Sequence, residues 1–203
     1  MSQIYCIYGA SGHSKVIIEI IEKAGNSING LFDDDPLKRE LLGYKVSNEK
    51  SIFDLANVDW IIGIGNNEIR KKIGEGRFLS FGTAIDSKAT ISGRIEIGKG
   101  TVIMPGVTIN SSTRIGKHSI INTNSSVDHD CMLGDYVHVS PGATLCGSVI
   151  VKEGAHIGAG ATIIPGITIG KWAKIGAGSV IINDVPEYST VVGNPGKIIK
   201  TRK

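Results

Sequence analysis

A small Rossmann-like α/β domain followed by a parallel β-helix is the fold that the sequence predicts, and three observations predict it. From Ile85 onward a branched aliphatic residue recurs every six positions. Residues 1–84 instead alternate strand-like and helix-like apolar patterns. The chain of 203 residues holds 27 Gly and only 5% aromatics, which suits tight turns and short strands and does not suit a helical bundle.

The repeat runs Ile85, Ile91, Ile97, Ile103 and so on through Val127, Leu133, Val139 and Leu145 to Ile181, without a slip or an inserted loop. Four places after each aliphatic the residue is small or β-branched, as at Ala89, Thr101, Ser119, Cys131, Ala143, Ala161 and Ser179. Gly often follows the aliphatic directly, as in IGKG, LGDY and IGAG. A period of six is neither helical nor a simple strand alternation. It suits a short strand plus a sharp turn, with three units closing one triangular coil and the aliphatics stacked inside.

The first part alternates strands and helices along the chain. IYCIYG (4–9) reads as a buried strand, GASGH (9–13) as a Gly-rich turn, and SKVIIEIIEKAG (14–25) as an amphipathic helix ending at Gly25. INGLFDDD (28–35) is a second strand closing on three aspartates, and VDWIIGIG (58–65) a third. NNEIRKKIGEG (66–76) is a second helix, with Glu68 and Lys72 spaced for an i,i+4 pair. Strand–helix alternation in so short a span predicts a small parallel sheet. Its Gly turn opens a helix, where free N–H groups favour phosphate, and the aspartates lie where a ribose hydroxyl is often held. The turn is Gly9-x-x-Gly12 and lacks the full dinucleotide fingerprint, so a nucleotide-sugar is a better expectation than a dinucleotide. A purely structural turn is the alternative.

Charge excludes little. Residues 1–84 carry 10 basic and 11 acidic side chains, residues 85–203 carry 12 and 8. Four of the later charges, Lys197, Lys200, Arg202 and Lys203, form a basic tail, which reads as a solvated end or a phosphate contact. Cys6, Cys131 and Cys146 form no CxxC pair; reduced thiols and a cytoplasmic protein are expected. No apolar run approaches a membrane span and no signal peptide is visible. Neither a membrane nor a nucleic-acid partner is expected.

The segment SSVDHDCMLGDYVHVSPGA (125–143) carries the chemistry. By spacing alone it is a metal site, a nucleophile with its base, or a lone base with an orienting carboxylate. The repeat narrows this. Cys131 falls on the small inward position and is expected in the core. His129 follows inward Val127 by two and should point outward near a corner. His138 and His156 are 18 residues apart, one coil, and should stack roughly 5 Å apart.

IYGASGHSKV, FDDD, GIGNNEIRKKI, SSVDHDC, HVSPGA and the closing VVGNPGKIIK together resemble the bacterial nucleotide-sugar N-acetyltransferases of the PglD type, over the whole chain. The sialic acid O-acetyltransferases of the NeuD type are near relatives. The resemblance implies a left hand for the β-helix, a homotrimer with active sites between subunits, acetyl-CoA as co-substrate and no metal. It implies division into a nucleotide-sugar-binding domain (1–82) and an acetyl-CoA-binding domain with its tail (83–203). The activity implied is acetyl transfer to the 4-amine of a UDP-4-amino-4,6-dideoxy-N-acetyl sugar for surface glycans. A GDP-4-amino-sugar and sialic acid O-acetylation are the alternatives.

The same resemblance assigns roles. His129 would be the general base, with Asp130 tuning it where the family carries Glu; Asp128 competes for that contact. The Gly147 N–H would face the thioester oxygen. His138 would contact acetyl-CoA, Asn122 would lie near pantetheine or sugar, and Ala159 and Ala177 would border the CoA path. Ser11, Gly12 and His13 would hold the diphosphate, Asp33 and Asp34 the uridine, and Gly65 would line that pocket. A zinc hydratase using stacked His138 and His156, and a non-catalytic nucleotide-sugar sensor, are rival readings that a metal analysis and a thiol-release assay would separate.

Overall fold

The structure is a computed structural model, and it describes residues 2–49, 55, 57–76 and 79–202. Lys203 of the basic tail lies outside the described residues. The N-terminal part is a five-stranded sheet of order β3-β4-β2-β1-β5. Its strands are β1 (Ile4–Tyr8), β2 (Ser27–Phe32), β3 (Glu40–Leu41), β4 (Tyr44–Ser47) and β5 (Asp59–Ile62). β1 pairs in parallel with β2 and β5, and β2 with β4, whereas β3 pairs antiparallel with β4. The β3–β4 hairpin was not foreseen. Its turn places Leu42 at φ 50 and Gly43 at φ 82, and a leucine in the left-handed region gives no turn signal in sequence.

Two helices flank this sheet: α1 (Gly12–Lys23) and α2 (Asn67–Gly76). The apolar stripe of α1, Ile17, Ile18, Ile20 and Ile21, shares one cluster with Tyr5, Ile7 and Leu31 of the sheet. On the opposite face Cys6, Tyr8, Phe32, Trp60 and Ile62 cluster with Ile73 of α2. The alternation along β1 thus feeds two cores, because successive side chains point to opposite faces.

The second part is a left-handed parallel β-helix. Two-residue strands stack at a spacing of one coil into three faces. The first face runs Ala84, Val102, Ile120, His138, His156 and Lys174. The second runs Thr90, Thr108, Ser126, Thr144, Thr162 and Val180. The third runs Glu96, Arg114, Met132, Ile150 and Thr168. The aliphatic after each of these points inward; Ile103, Val127, Val139, Leu145 and Ile157 are 0% exposed. The opening coil is the exception, with Ile85 37% exposed and Ile91 and Ile97 half-buried, because no earlier coil covers it. An antiparallel hairpin, β23 (Ser189–Val192) with β24 (Lys197–Thr201), extends the first face at the other end. β23 and β24 are the last strands after β22 (Val180–Ile181), counting the coil strands in order from β6 (Ala84–Ile85).

The two parts meet on the first face. Ala84, Val102, Met104 and Ile120 join the α1 cluster, so α1 is buried between the sheet and the coil. α2 docks one corner further round, where the third face turns into the first. The stripe that it buries is polar: Asn67 and Arg70, followed by Ile73.

Candidate active site

Corners set the geometry at His129. Between the second and third faces the chain takes the left-handed conformation once per coil, at Ser112 (φ 62), Asp130 (φ 59), Ser148 (φ 61) and Gly166 (φ 76). Aspartate tolerates that conformation better than most residues. At Asp130 it sets the carboxylate beside the preceding imidazole. Asp130 Oδ2 lies 2.7 Å from His129 Nδ1. Asp128 is occupied otherwise: its Oδ1 accepts the His129 backbone N–H at 2.8 Å and the Asn110 side-chain amide at 2.7 Å. Asp130 is therefore the carboxylate on the ring.

With Nδ1–H donated to Asp130, Nε2 carries the free lone pair. The ring lies over Gly147, where an added Cβ would stand 2.6 Å from Cε1 and 2.8 Å from Nε2. Only glycine leaves room for the imidazole there. The Gly147 N–H donates to no protein acceptor among the described residues. A cavity of about 510 Å³ opens at this point, lined by Asp128, His129, Cys146, Gly147, Ser148, Pro165 and Gly166. The hydrogen bond that His129 donates to Asp130, and then the charge of Asp128, push the His129 pKa above its ordinary value. Cys131, by contrast, is 0% exposed and its Sγ donates to the Cys146 carbonyl at 3.2 Å. Burial pushes its thiol up to about 11, which makes it a core residue and a poor nucleophile.

The other expected residues gather elsewhere. His138 is 8% exposed on the first face, under the loop after β5. Its Nδ1 faces the Gly65 carbonyl at 3.4 Å and its Nε2 meets the Asn122 amide at 3.1 Å. His156 stacks one coil on, 4.7 Å between ring centroids, with Nε2 on Ser140 Oγ at 3.0 Å. His13, from the first turn of α1, approaches His138 with centroids 6.5 Å apart, and its Nε2 is buried without a hydrogen-bond partner among the described residues. Burial first, then the neighbouring His156 and Arg70, lowers the His138 pKa to about 3. Burial and Arg70 lower His13 to about 4. These rings are neutral at pH 7. Among the described residues no group of three or more His, Cys, Asp and Glu is placed to hold a metal ion.

At the Gly turn, Ser11 and Gly12 are exposed at the α1 N-terminus, and Ser11 makes no capping side-chain bond. Asp33 closes the turn from the next strand. Its Oδ2 accepts the Ala10 N–H and the Lys38 ammonium, both at 2.7 Å, and its Oδ1 accepts the Asp35 N–H at 3.0 Å. Asp34 takes the Tyr8 hydroxyl at 2.6 Å. Ala159 and Ala177 are exposed, one coil apart, on the corner between the first and second faces. Glu68 does not pair with Lys72; its carboxylate accepts from Arg202 of the tail at 3.1 Å.

The expected residues thus form two groups. His129, Asp130 and Gly147 hold the corner between the second and third faces, opposite the first face in the triangular section. His138, Asn122, Gly65 and the α1 turn lie on or beside that first face. Sequence reasoning missed Arg70, Asn67, Lys38 and Tyr8. The signal for Arg70 was present, since Asn67 and Arg70 are one helical step apart inside GIGNNEIRKKI, but polar residues carry no core pattern.

Residues 5–76 match the PglD N-terminal domain family, and residues 112–147 and 148–183 match the bacterial transferase hexapeptide family (six repeats). A search of curated proteins returned no match. Among solved structures the chain is similar to the perosamine N-acetyltransferase of Caulobacter crescentus, a variant in complex with CoA and GDP-perosamine. That likeness is 35% identity and a TM-score of 0.92 over 98% of both chains. The chain belongs to the PglD-type sugar N-acetyltransferases. It is also similar to the acetyltransferase domain of PglB from Neisseria gonorrhoeae, at 32% identity and a TM-score of 0.91 over 98% of this chain and 100% of that one. WeeI from Acinetobacter baumannii is 30% identical with a TM-score of 0.90 over the same shares. As a PglD-type enzyme this chain uses acetyl-CoA as co-substrate and acetylates a sugar amine.

Proposed function

We propose that this PglD-type enzyme acetylates the 4-amine of a UDP-linked 4-amino-4,6-dideoxy-N-acetyl sugar by direct attack on acetyl-CoA, with His129 as general base. The observation that carries the reading is the Asp130–His129 pair, 2.7 Å apart, with Nε2 over Gly147. The amine nitrogen attacks the thioester carbonyl and Nε2 takes its proton. The Gly147 N–H faces the developing oxyanion. The C–S bond then breaks, and the CoA sulfur takes the proton back from the imidazolium. The base and the oxyanion donor are held before substrate arrives, which is where such sites gain rate.

In this reading residues 1–82 hold the nucleotide-sugar: Ser11, Gly12 and His13 at the diphosphate, Asp33 and Asp34 at the nucleoside, and Gly65 along the wall. Residues 83–203 hold acetyl-CoA, with Asn122, His138, Ala159 and Ala177 along its path. The two groups of one chain occupy different sides of the coil, so a homotrimer that brings one chain's His129 to a neighbour's first face completes each site. The enzyme works in the cytoplasm, where nucleotide-activated sugars are made. A GDP-linked 4-amino-sugar is the second reading, favoured by the Caulobacter relative in complex with GDP-perosamine.

The test is thiol release from acetyl-CoA with a UDP-4-amino-sugar, a GDP-4-amino-sugar and sialic acid in separate reactions. Release with the UDP sugar alone supports the first reading, and with the GDP sugar alone the second. Release with sialic acid alone overturns both and keeps the fold.

A further inference from the structure

Arg70 is 1% exposed, yet among the described residues no carboxylate pairs with it. Its donors end on carbonyl and amide oxygens from both parts of the molecule. Nε donates to His118 O at 2.7 Å and one terminal nitrogen to Tyr136 O at 3.0 Å, both on the coil. That nitrogen also donates to Asn67 Oδ1 at 2.9 Å. The other terminal nitrogen donates to Ile64 O at 3.0 Å and Gly65 O at 3.2 Å. The Gly65 carbonyl is the one that His138 Nδ1 faces from the coil at 3.4 Å. Docking alone would be served by neighbouring contacts: Asn67 Nδ2 donates to Gly154 O at 3.0 Å, and Lys71 pairs with Glu153. What Arg70 adds is a hold on the 64–65 loop itself.

We infer that Arg70 is a positioning residue that fixes the Gly65 loop against His138, and so sets the nucleotide-sugar pocket relative to the coil. This rests on the proposed placement of the nucleotide-sugar along Gly65. The geometry needs arginine. A guanidinium presents five N–H donors in a rigid fork, and all are used in two directions. A lysine keeps the charge but offers three donors from one point, so it cannot reach the loop and both coil carbonyls together. Asparagine at 67 has its own oxygen committed to the fork, which ties the start of α2 to the same unit.

The experiment compares Arg70→Lys with Lys71→Met and His13→Ala, measuring KM for the nucleotide-sugar, KM for acetyl-CoA and kcat alongside thermal stability. Arg70→Gln, which keeps an amide on the same side, substitutes if Arg70→Lys does not fold. Lys71→Met loosens α2 from the coil without touching the loop. The expected result is a rise of about tenfold or more in nucleotide-sugar KM for the Arg70 variant, the scale of one lost charge-assisted hydrogen bond. Acetyl-CoA KM should stay within about threefold of wild type, a change below the loss of one such bond. Lys71→Met should lower stability and leave both KM values alone. A merely structural arginine would lower stability with no KM split, or match the Lys71→Met pattern, and either outcome overturns the inference. If His13→Ala raises nucleotide-sugar KM while the Arg70 variant does not, the pocket stands and only the role of Arg70 fails. If neither variant raises it, the pocket placement fails and the inference with it.

Discussion

Asp130 reaches the imidazole of His129 because the corner backbone turns left-handed there, at φ 59. A pH profile tests that contact. A protonated His129 cannot accept the amine proton, so activity falls on the acid side of its pKa. Asp130 and Asp128 raise that pKa. Asp130→Asn keeps the shape, removes the charge and should move the acid limb of kcat/KM to lower pH; an unmoved limb means that Asp130 does not tune the base. At this scale the sequence was partly readable. The six-residue period placed Cys131 inside and His129 outside, since it fixes which way each side chain points. It did not decide between Asp128 and Asp130, because that choice depends on which backbone N–H each carboxylate meets. The role of Arg70 was not readable for a related reason: beyond Asn67 on its own helix, its acceptors are backbone carbonyls of the preceding loop and of the coil.

The elements repeat this division. Coil strands and corners followed from period and residue size, and the N-terminal strand–turn–helix units followed from apolar runs and glycines. The β3–β4 hairpin did not, having a leucine at a left-handed turn position. One corner column shows how closely the coil is fitted. At the turn from third to first face Gly100, His118, Tyr136, Gly154 and Trp172 follow one another coil by coil, all at positive φ. His118 and Tyr136 stack 5.2 Å apart between centroids, and a Cβ at Gly154 would stand 2.4 Å from the Trp172 ring. Gly154→Ala meets both the strained φ and the ring. It should destabilise the protein by about 1–3 kcal/mol, the usual cost of overpacking, read as a lower denaturation midpoint. An unchanged midpoint would mean that the column is looser than its geometry.

Across the whole molecule, the first face does two jobs. Its early rungs, Ala84, Val102 and Ile120, are apolar and bury α1; its later rungs, His138, His156 and Lys174, are polar and run beyond that cluster. Packing of the two parts could not be read from the pattern of either alone, because Ala84, Val102 and Ile120 sit at outward positions that a solenoid usually leaves to solvent. The proposed trimer makes a prediction at this scale. If each site combines His129 of one chain with the first face and α1 turn of another, His129→Ala chains are impaired alone in kcat and His13→Ala chains alone in nucleotide-sugar KM, so both turn over slowly at low nucleotide-sugar. Co-expressed as hybrids they should regain activity, since some interfaces then carry both wild-type residues. Hybrids as slow as the parents would place the complete site within one chain.

Base catalysis by His129 is open to single-residue kinetics. Purified wild type and His129→Ala would be compared for thiol release with the preferred amino-sugar, with acetyl-CoA binding measured in parallel. The expected result is a fall in kcat of about 10²–10⁴-fold, the range for a lost general base, with acetyl-CoA affinity nearly unchanged. Turnover close to wild type would contradict it.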